Sequence, residues 1–227
     1  NAPERILELS LDNSRSDNRI NQIKQAAKAV GISVRNVNQQ QLQKQLGDSN
    51  HQGAMALVKP ALALKESELF NQLENIDGPP LLLCLDGVQD PHNLGACLRS
   101  ADAAGVHAVV VPRDRAVGLT ATVRKVASGA AENVPLIQVT NLARTMDGLK
   151  DRGIWLIGTA GEADSEFYGR DLRGPLGLVM GGEGEGLRRL TRERCDALVR
   201  LPMLGRVESL NVSVAAGVCL YLARASR

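Results

Sequence analysis

The sequence predicts a two-part α/β protein, a small αβ module followed by a larger domain built on a parallel sheet. Three observations carry this. Six short apolar runs separated by helical patterns follow residue 77, and such runs are the signature of parallel strands buried on both faces. The segment Ile76-Asp77-Gly78-Pro79-Pro80 breaks what precedes it, because proline cannot continue a helix and glycine frees the backbone. Finally, 227 residues, 44% hydrophobic and 23% charged, are ample for a core and exclude disordered, collagenous and membrane-spanning classes.

In the first part, the apolar run Ile6 to Leu11, a helical stretch from Asn18 to Val30 stopped by Gly31, and the run Ile32 to Val37 read as strand, helix and strand. The glutamine-rich Gln39 to Leu46 reads as a polar helix, Ala54 to Val58 as a strand ended by Pro60, and Lys65 to Asn75 as a helix. The domain boundary falls near residue 77, giving parts 1–76, linker included, and 77–227. In the second part Leu81 to Leu85, Ala108 to Val111, Leu136 to Val139, Ile154 to Thr159, Leu176 to Met180 and Ala197 to Leu201 are the predicted strands. No internal repeat interrupts this order.

Composition narrows function. A net charge of +2 gives no global field, so anion binding must be local. Two phenylalanines, two tyrosines and one tryptophan are too few for a sheet that stacks bases on aromatics. Cys84, Cys97, Cys195 and Cys219 lack CxxC spacing and predict buried thiols in a reducing, cytoplasmic setting, with no structural zinc. His51, His92 and His107 are too scattered for a metal site. No run has membrane length, so neither a metal nor a membrane is expected.

Three segments can carry chemistry. Asp86 to Gly95 leaves a strand through a polar turn and enters a helix with Leu94, Leu98, Ala101 and Gly105 on one face; ligands of open α/β sheets bind at that edge. Asn93 stands at the expected N-cap, and Arg99 lies off the apolar face, either a ligand contact or a solvated charge. Met180 to Leu187 holds four glycines in six positions, which let backbone approach a ligand closely. No Gly-Lys-Ser/Thr follows, and Glu183 and Glu185 would repel a triphosphate. Leu201 to Ser213 runs from a strand through Ser209 and Asn211 into an apolar helix; capping or recognition of an adenine edge both fit. The arginines 113, 115, 124, 188, 189, 192 and 194, with Lys125, are either local phosphate contacts or solvated helix faces.

Taken together, in this order and at these separations, Asp86 to Ser100, Met180 to Leu187 and Leu201 to Ser213 resemble the three motifs of the SpoU class of SPOUT RNA ribose 2'-O-methyltransferases. The likeness spans residues 81–225. The leading module resembles the L30e-like substrate-binding domain of the branch that methylates a guanosine of 23S ribosomal RNA, and the Ala101 to Gly105 helix end, Val126 to Glu132 and Thr159 to Asp164 resemble that branch more than its transfer-RNA relatives.

The resemblance implies a trefoil-knotted α/β domain acting as a homodimer. It implies S-adenosylmethionine held by main-chain groups at Gly181, Leu201 and Leu210, with Gly186 and Met203 nearby. It further implies in-line attack of a ribose 2'-hydroxyl on the sulfonium methyl, in the peptidyl-transferase region of the RNA. Arg99 is implied to sit beside the substrate phosphate; since a guanidinium stays charged, it clamps phosphate and hydroxyl while another group accepts the proton. Asn93 would orient the ribose or Arg99, Glu183 would organise the glycine-rich loop, and Ser209 and Asn211 would shape the joint site. Competing readings are a transfer-RNA 2'-O-methyltransferase, a noncatalytic RNA-binding ribosome-assembly module, and, last, a nicotinamide-dependent enzyme, which lacks its early glycine fingerprint.

Overall fold

A computed structural model describes residues 3–47, 51–59 and 61–227, and the chain divides into compact units at residues 61 and 62. In the leading unit β1 (Ile6–Asp12) forms the centre of a three-stranded sheet, parallel to β2 (Val34–Val37) and antiparallel to β3 (Ala54–Val58). Helix α1 (Asn18–Ala29) makes the crossover between the parallel pair; Asp17 caps it by accepting from the Ile20 amide, and Gly31 turns the chain at φ +73°. Leu9, Leu11, Ile20 and Ala27 form the small core. Helix α2 (Gln39–Leu46) opens with a reciprocal capping box between Asn38 and Gln41, which explains why so polar a segment holds a helix. Pro60, read as the stop of β3, lies outside the described residues.

The second unit takes in residues 62–76, read from sequence as the linker that closes the first part. Residues 62–76 include α3 (Glu66–Leu73), whose buried Leu69 joins the core of the large sheet. Capping of α3 by Glu68 at the Lys65 amide and the Asp77-Gly78-Pro79-Pro80 break make this segment look like a separate element in sequence. What assigns it to the second unit is non-local burial.

The large sheet is six-stranded and wholly parallel. Its strands are β4 (Leu81–Asp86), β5 (Ala108–Pro112), β6 (Leu136–Val139), β7 (Trp155–Thr159), β8 (Leu176–Gly181) and β9 (Ala197–Val199), in the order β6-β5-β4-β8-β7-β9. Each predicted run contains a strand. The last is shorter than expected, because after Val199 the chain leaves the sheet ahead of Pro202. β4 and β5 are buried throughout, as strands covered on both faces must be. The helices that cover them are α4 (Pro91–Ala103), α5 (Ala121–Ala127), α6 (Ala130–Asn133), α7 (Leu142–Lys150), α8 (Arg189–Arg194) and α9 (Val212–Ala225). Close packing of α4 on α5 needs Gly95, where a Cβ would lie 2.7 Å from the Val126 Cβ and 2.9 Å from the Val123 carbonyl oxygen.

Strand order decides where a ligand can go. The chain builds outward from β4 through β5 to β6, then returns to place β8 against the other side of β4. The loops after β4 and β8 therefore leave the same edge in opposite senses and pack against each other, the Gly182 amide donating to the Asp86 carbonyl, so the open space at this carboxyl edge lies over β8, β7 and β9.

Candidate active site

A cleft of about 1040 Å³ lies along that edge, at the upper end of the roughly 300–1,000 Å³ of small-molecule sites. Three carboxyl-end loops line it: 159–162 after β7, the glycine-rich 181–187 after β8, and 200–211 after β9. Eight of the ten residues singled out from the sequence border it, namely Gly181, Glu183, Gly186, Leu201, Met203, Ser209, Leu210 and Asn211.

The glycine-rich loop is folded back on itself. Gly182 and Gly186 pair in a short antiparallel bridge, and Gly184 and Gly186 take φ values of +85° and +65°. A Cβ on Gly181 would stand 2.1 Å from the Gly186 carbonyl carbon, and one on Gly182 would stand 2.4 Å from the Gly87 carbonyl oxygen. Close approach is thus required first by the protein's own backbone, where the sequence suggested approach to a ligand.

Asp86 holds both ends of this loop, and sequence reasoning missed it. Its carbonyl accepts from the Gly182 amide at 2.8 Å. Its carboxylate, only 1% exposed, accepts from the Arg188 amide at 2.9 Å and Arg188 Nε at 2.6 Å, and also pairs with Arg188 Nη2. Such a bidentate clamp is geometrically demanding; the partners lie 102 residues apart, so no local pattern could announce it.

Asn93 is not the N-cap of α4. Asp90 caps the helix by accepting from the His92 amide at 2.9 Å, and Pro91 takes the first helical position, a Pro-at-N1 pattern visible in the sequence. Asn93 instead sits in the first turn, 7% exposed, and donates through Nδ2 to Glu183 Oε1. Asn211, the true N-cap of α9, donates Nδ2 to Asn93 Oδ1 at 3.0 Å and approaches Glu183 Oε1 at 3.3 Å, while its Oδ1 accepts from the Ser213 amide and hydroxyl. One residue from each of the three segments therefore meets in a single polar network at the cleft. Arg99 stands apart: it is exposed on α4, lines no part of the cleft and makes no hydrogen bond or ion pair among the described residues.

The arginine cluster, read from sequence as either phosphate contacts or solvated faces, is largely neutralised. Arg188 pairs with Asp86, Arg189 with Glu193, Arg192 with Glu162, Arg194 with Asp147 and Arg124 with Glu132. Hydrogen bonding from Arg192 holds the Glu162 carboxyl below the usual carboxylate range. With Glu162, Glu183, Glu185 and Glu208 against Arg192 and Arg200, the cleft suits a cation and repels a pyrophosphate. All four thiols are free, and burial pushes them up to about 12, so they contribute packing rather than nucleophiles. Among the described residues no group of three or more His, Cys, Asp or Glu gathers as a metal site, and no helix is long and apolar enough to cross a membrane.

A parallel sheet with its cleft along the carboxyl edge and a three-segment Asn-Glu-Asn network defines a class, and comparison with known proteins identifies it. Residues 80–221 match the SpoU rRNA Methylase family, and residues 1–63 match the RNA 2'-O ribose methyltransferase substrate-binding family. The chain belongs to the SpoU family. It is 57% identical over 97% of its length, and 89% of the relative's, to the 23S rRNA (guanosine-2'-O-)-methyltransferase RlmB of Shewanella oneidensis. To RlmB of Escherichia coli K12 it is 54% identical, over 97% and 90%. In fold it matches the SpoU methyltransferase AviRb of Streptomyces viridochromogenes, crystallised with its cofactor AdoMet, with a TM-score of 0.77 at 24% identity over 97% of this chain and 82% of that one.

Proposed function

We propose that this protein transfers a methyl group from S-adenosylmethionine to the ribose 2'-hydroxyl of a guanosine in 23S ribosomal RNA. The observation that carries the reading is the meeting of Asn93, Glu183 and Asn211 beside a cleft of acidic and backbone character, in a chain more than half identical to RlmB over both of its parts. Identity to RlmB over 97% of the chain, the leading module included, favours ribosomal over transfer RNA.

The cleft fits the cofactor by its chemistry. Its surplus of carboxylates favours a sulfonium, and Met180, Leu201, Met203, Leu210 and Val212 offer apolar surface among exposed backbone groups. The cofactor supplies an electrophilic methyl on a positively charged sulfur. Main-chain groups at Gly181, Leu201 and Leu210 hold it, with Gly186 and Met203 alongside. Asn93 presents the ribose, and Glu183, fixed by the two asparagine amides, keeps the glycine-rich loop in register with it; Ser209 and Asn211 shape the opposite wall. The gain is chiefly one of orientation, which turns a two-body reaction into one of fixed geometry. Arg99 meets the substrate phosphate.

Arg99 lies outside the cleft of its own chain, and a homodimer that faces α4 of one copy toward the cleft of the other reconciles this with its role. Exposed Leu204, Val207, Val214 and Tyr221 supply the apolar surface for that contact. We assign the second unit a trefoil knot and the protein a cytoplasmic location on the same reading.

The test is incubation with labelled S-adenosylmethionine and equal amounts of 23S ribosomal RNA transcript and transfer RNA, then nuclease digestion and mass identification. 2'-O-methylguanosine from the ribosomal RNA alone is the expected result. A mark on transfer RNA alone, or none on either, overturns it.

A further inference from the structure

The leading unit contains a polar pocket of about 340 Å³ that the reaction does not use, bordered by Asp12, Arg15, Gln39, Gln43, His51 and Gly53 among others. It lies at the carboxyl ends of the parallel pair β1 and β2, where Asp12 stands opposite Val37, the edge that open parallel sheets use for ligands. Its floor is an incompletely satisfied carboxylate. Asp12 is 2% exposed, and its Oδ1 accepts from the Ser14 amide at 2.9 Å and hydroxyl at 2.7 Å. Its Oδ2 accepts from nothing among the described residues. Arg227 Nε is the one fully buried side-chain polar atom without a partner among the described residues, so Asp12 Oδ2 keeps access to the pocket and is free to accept from what enters it.

The walls supply donors. Gln39 and Gln43 stand one turn apart on α2, both exposed, and neither side chain makes a hydrogen bond among the described residues. His51 Nδ1 accepts from the Gly53 amide at 3.1 Å, so in the neutral ring Nε2 carries the proton and donates. Arg15 lies flat against Gly53, where a Cβ would come within 2.7 Å of its Cδ, and its charge is already taken by Asp17 at 2.7 Å. A carboxylate on the floor and an arginine already paired with Asp17 on the rim disfavour a phosphate. A neutral planar ligand that donates at its centre and accepts on its flanks fits them.

We infer that this pocket receives one unpaired base of the substrate RNA, uracil fitting best, with its N3–H donated to Asp12 and its flanking carbonyls accepting from the Gln43 amide and His51 Nε2–H. RNA sequence is read mostly in this way, on splayed bases through their Watson–Crick edges. Uracil presents acceptor, donor and acceptor in a row, adenine and cytosine place a ring acceptor where Asp12 needs a donor, and guanine shares the central N–H but sets an amino donor on one flank, which fits only if Gln43 turns its carbonyl inward. Hydrogen bonds from Ser14 hold the Asp12 carboxyl below its usual range, which keeps it an acceptor. The inference rests on the reading of the chain as an RNA methyltransferase, and it gives the leading unit a base-reading site of its own, remote in sequence from all three motifs.

The experiment uses the full chain and fluorescein-labelled hexamers of uridine, adenosine and cytidine, followed by anisotropy. The uridine hexamer is expected to bind at least about tenfold tighter than the others, a difference of about 1.4 kcal/mol. Asp12→Asn and Gln43→Ala should each erase most of that preference. Gln43→Ala keeps the test decisive if Asp12→Asn disturbs β1, because Gln43 is exposed and its side chain makes no hydrogen bond among the described residues. In methylation assays on the 23S transcript both variants should raise KM for RNA several-fold without moving S-adenosylmethionine affinity. Equal binding of the three hexamers, or a uridine preference that survives both substitutions, overturns the inference. A wild-type chain that methylates no transcript would overturn the proposed function, while the hexamer comparison would still decide the pocket.

Discussion

The two loops that face each other across the cleft are held in opposite ways. The glycine-rich loop is anchored at both ends by Asp86, bridged internally between Gly182 and Gly186, and packed so closely that neither Gly181 nor Gly182 has room for a Cβ. The loop 201–210 makes no hydrogen bond among the described residues and turns Leu204, at 97% exposure, and Val207 outward. The difference teaches that one wall is preorganised by the chain itself. The other has no such ties within its own chain among the described residues, and its exposed Leu204 and Val207 are the surface that the proposed second copy would cover.

The sharpest way to break the first half of this comparison is Gly182→Val. Overpacking against fixed backbone costs about 1–3 kcal/mol or more, so S-adenosylmethionine affinity measured by calorimetry should fall by up to about 100-fold. Gly181→Val should match it. Binding within threefold of wild type would mean that the loop is softer than its contacts indicate.

The second half is tested by Leu204→Asp combined with Tyr221→Asp. Sedimentation should show the proposed dimer of the parent giving way to monomer, while the melting temperature stays within a few degrees, because both side chains are exposed in the single chain. A parent that is already monomeric at micromolar concentration would sink the covering-copy explanation of the loop.

Asp86→Asn probes the anchor itself. Breaking a buried pair by removing one partner costs about 3–5 kcal/mol, but the Arg188 side chain is 36% exposed and water can solvate it, so the loss should be well below that range. Cofactor affinity is expected to fall about tenfold, with a modest drop in thermal stability. Arg188→Lys keeps the charge and the amide but loses the fork, and should fall between the two.

These contrasts also mark what could be read in advance. The six strands were legible because strands buried on both faces leave continuous apolar runs such as Leu81 to Leu85. The return of β8 to the side of β4 was not, because pairing order is a long-range choice that no local period records. The Asp90-Pro91 cap was legible and overlooked: proline at the first helical turn names its cap, which freed Asn93 for the site. Asp86 was hidden for a different reason. At the end of an apolar strand it looks like the start of a turn, and only the arrival of Arg188 from the loop after β8 gives its burial a cause. The loop 201–211 was legible as residues and not as shape, since Leu201 reads as strand continuation while the chain leaves the sheet at Val199.

The smallest expected effect on cofactor binding is also the most informative, because Asn93 and Asn211 belong one to each side of the comparison. Asn93 is fixed in α4 and bound to the rigid loop through Glu183; Asn211 ends the untethered loop and reaches across to both. If the network is the latch that joins the two walls, Asn93→Ala and Asn211→Ala should each lower turnover, by about tenfold or more, and leave S-adenosylmethionine affinity within about threefold. The double variant should be little worse than the worse single one, since residues sharing a hydrogen-bond network couple by about 0.5–3 kcal/mol. Strictly additive losses in kcat would mean that the two asparagines act on separate events, and that the walls of the cleft are joined by the substrate and not by the protein.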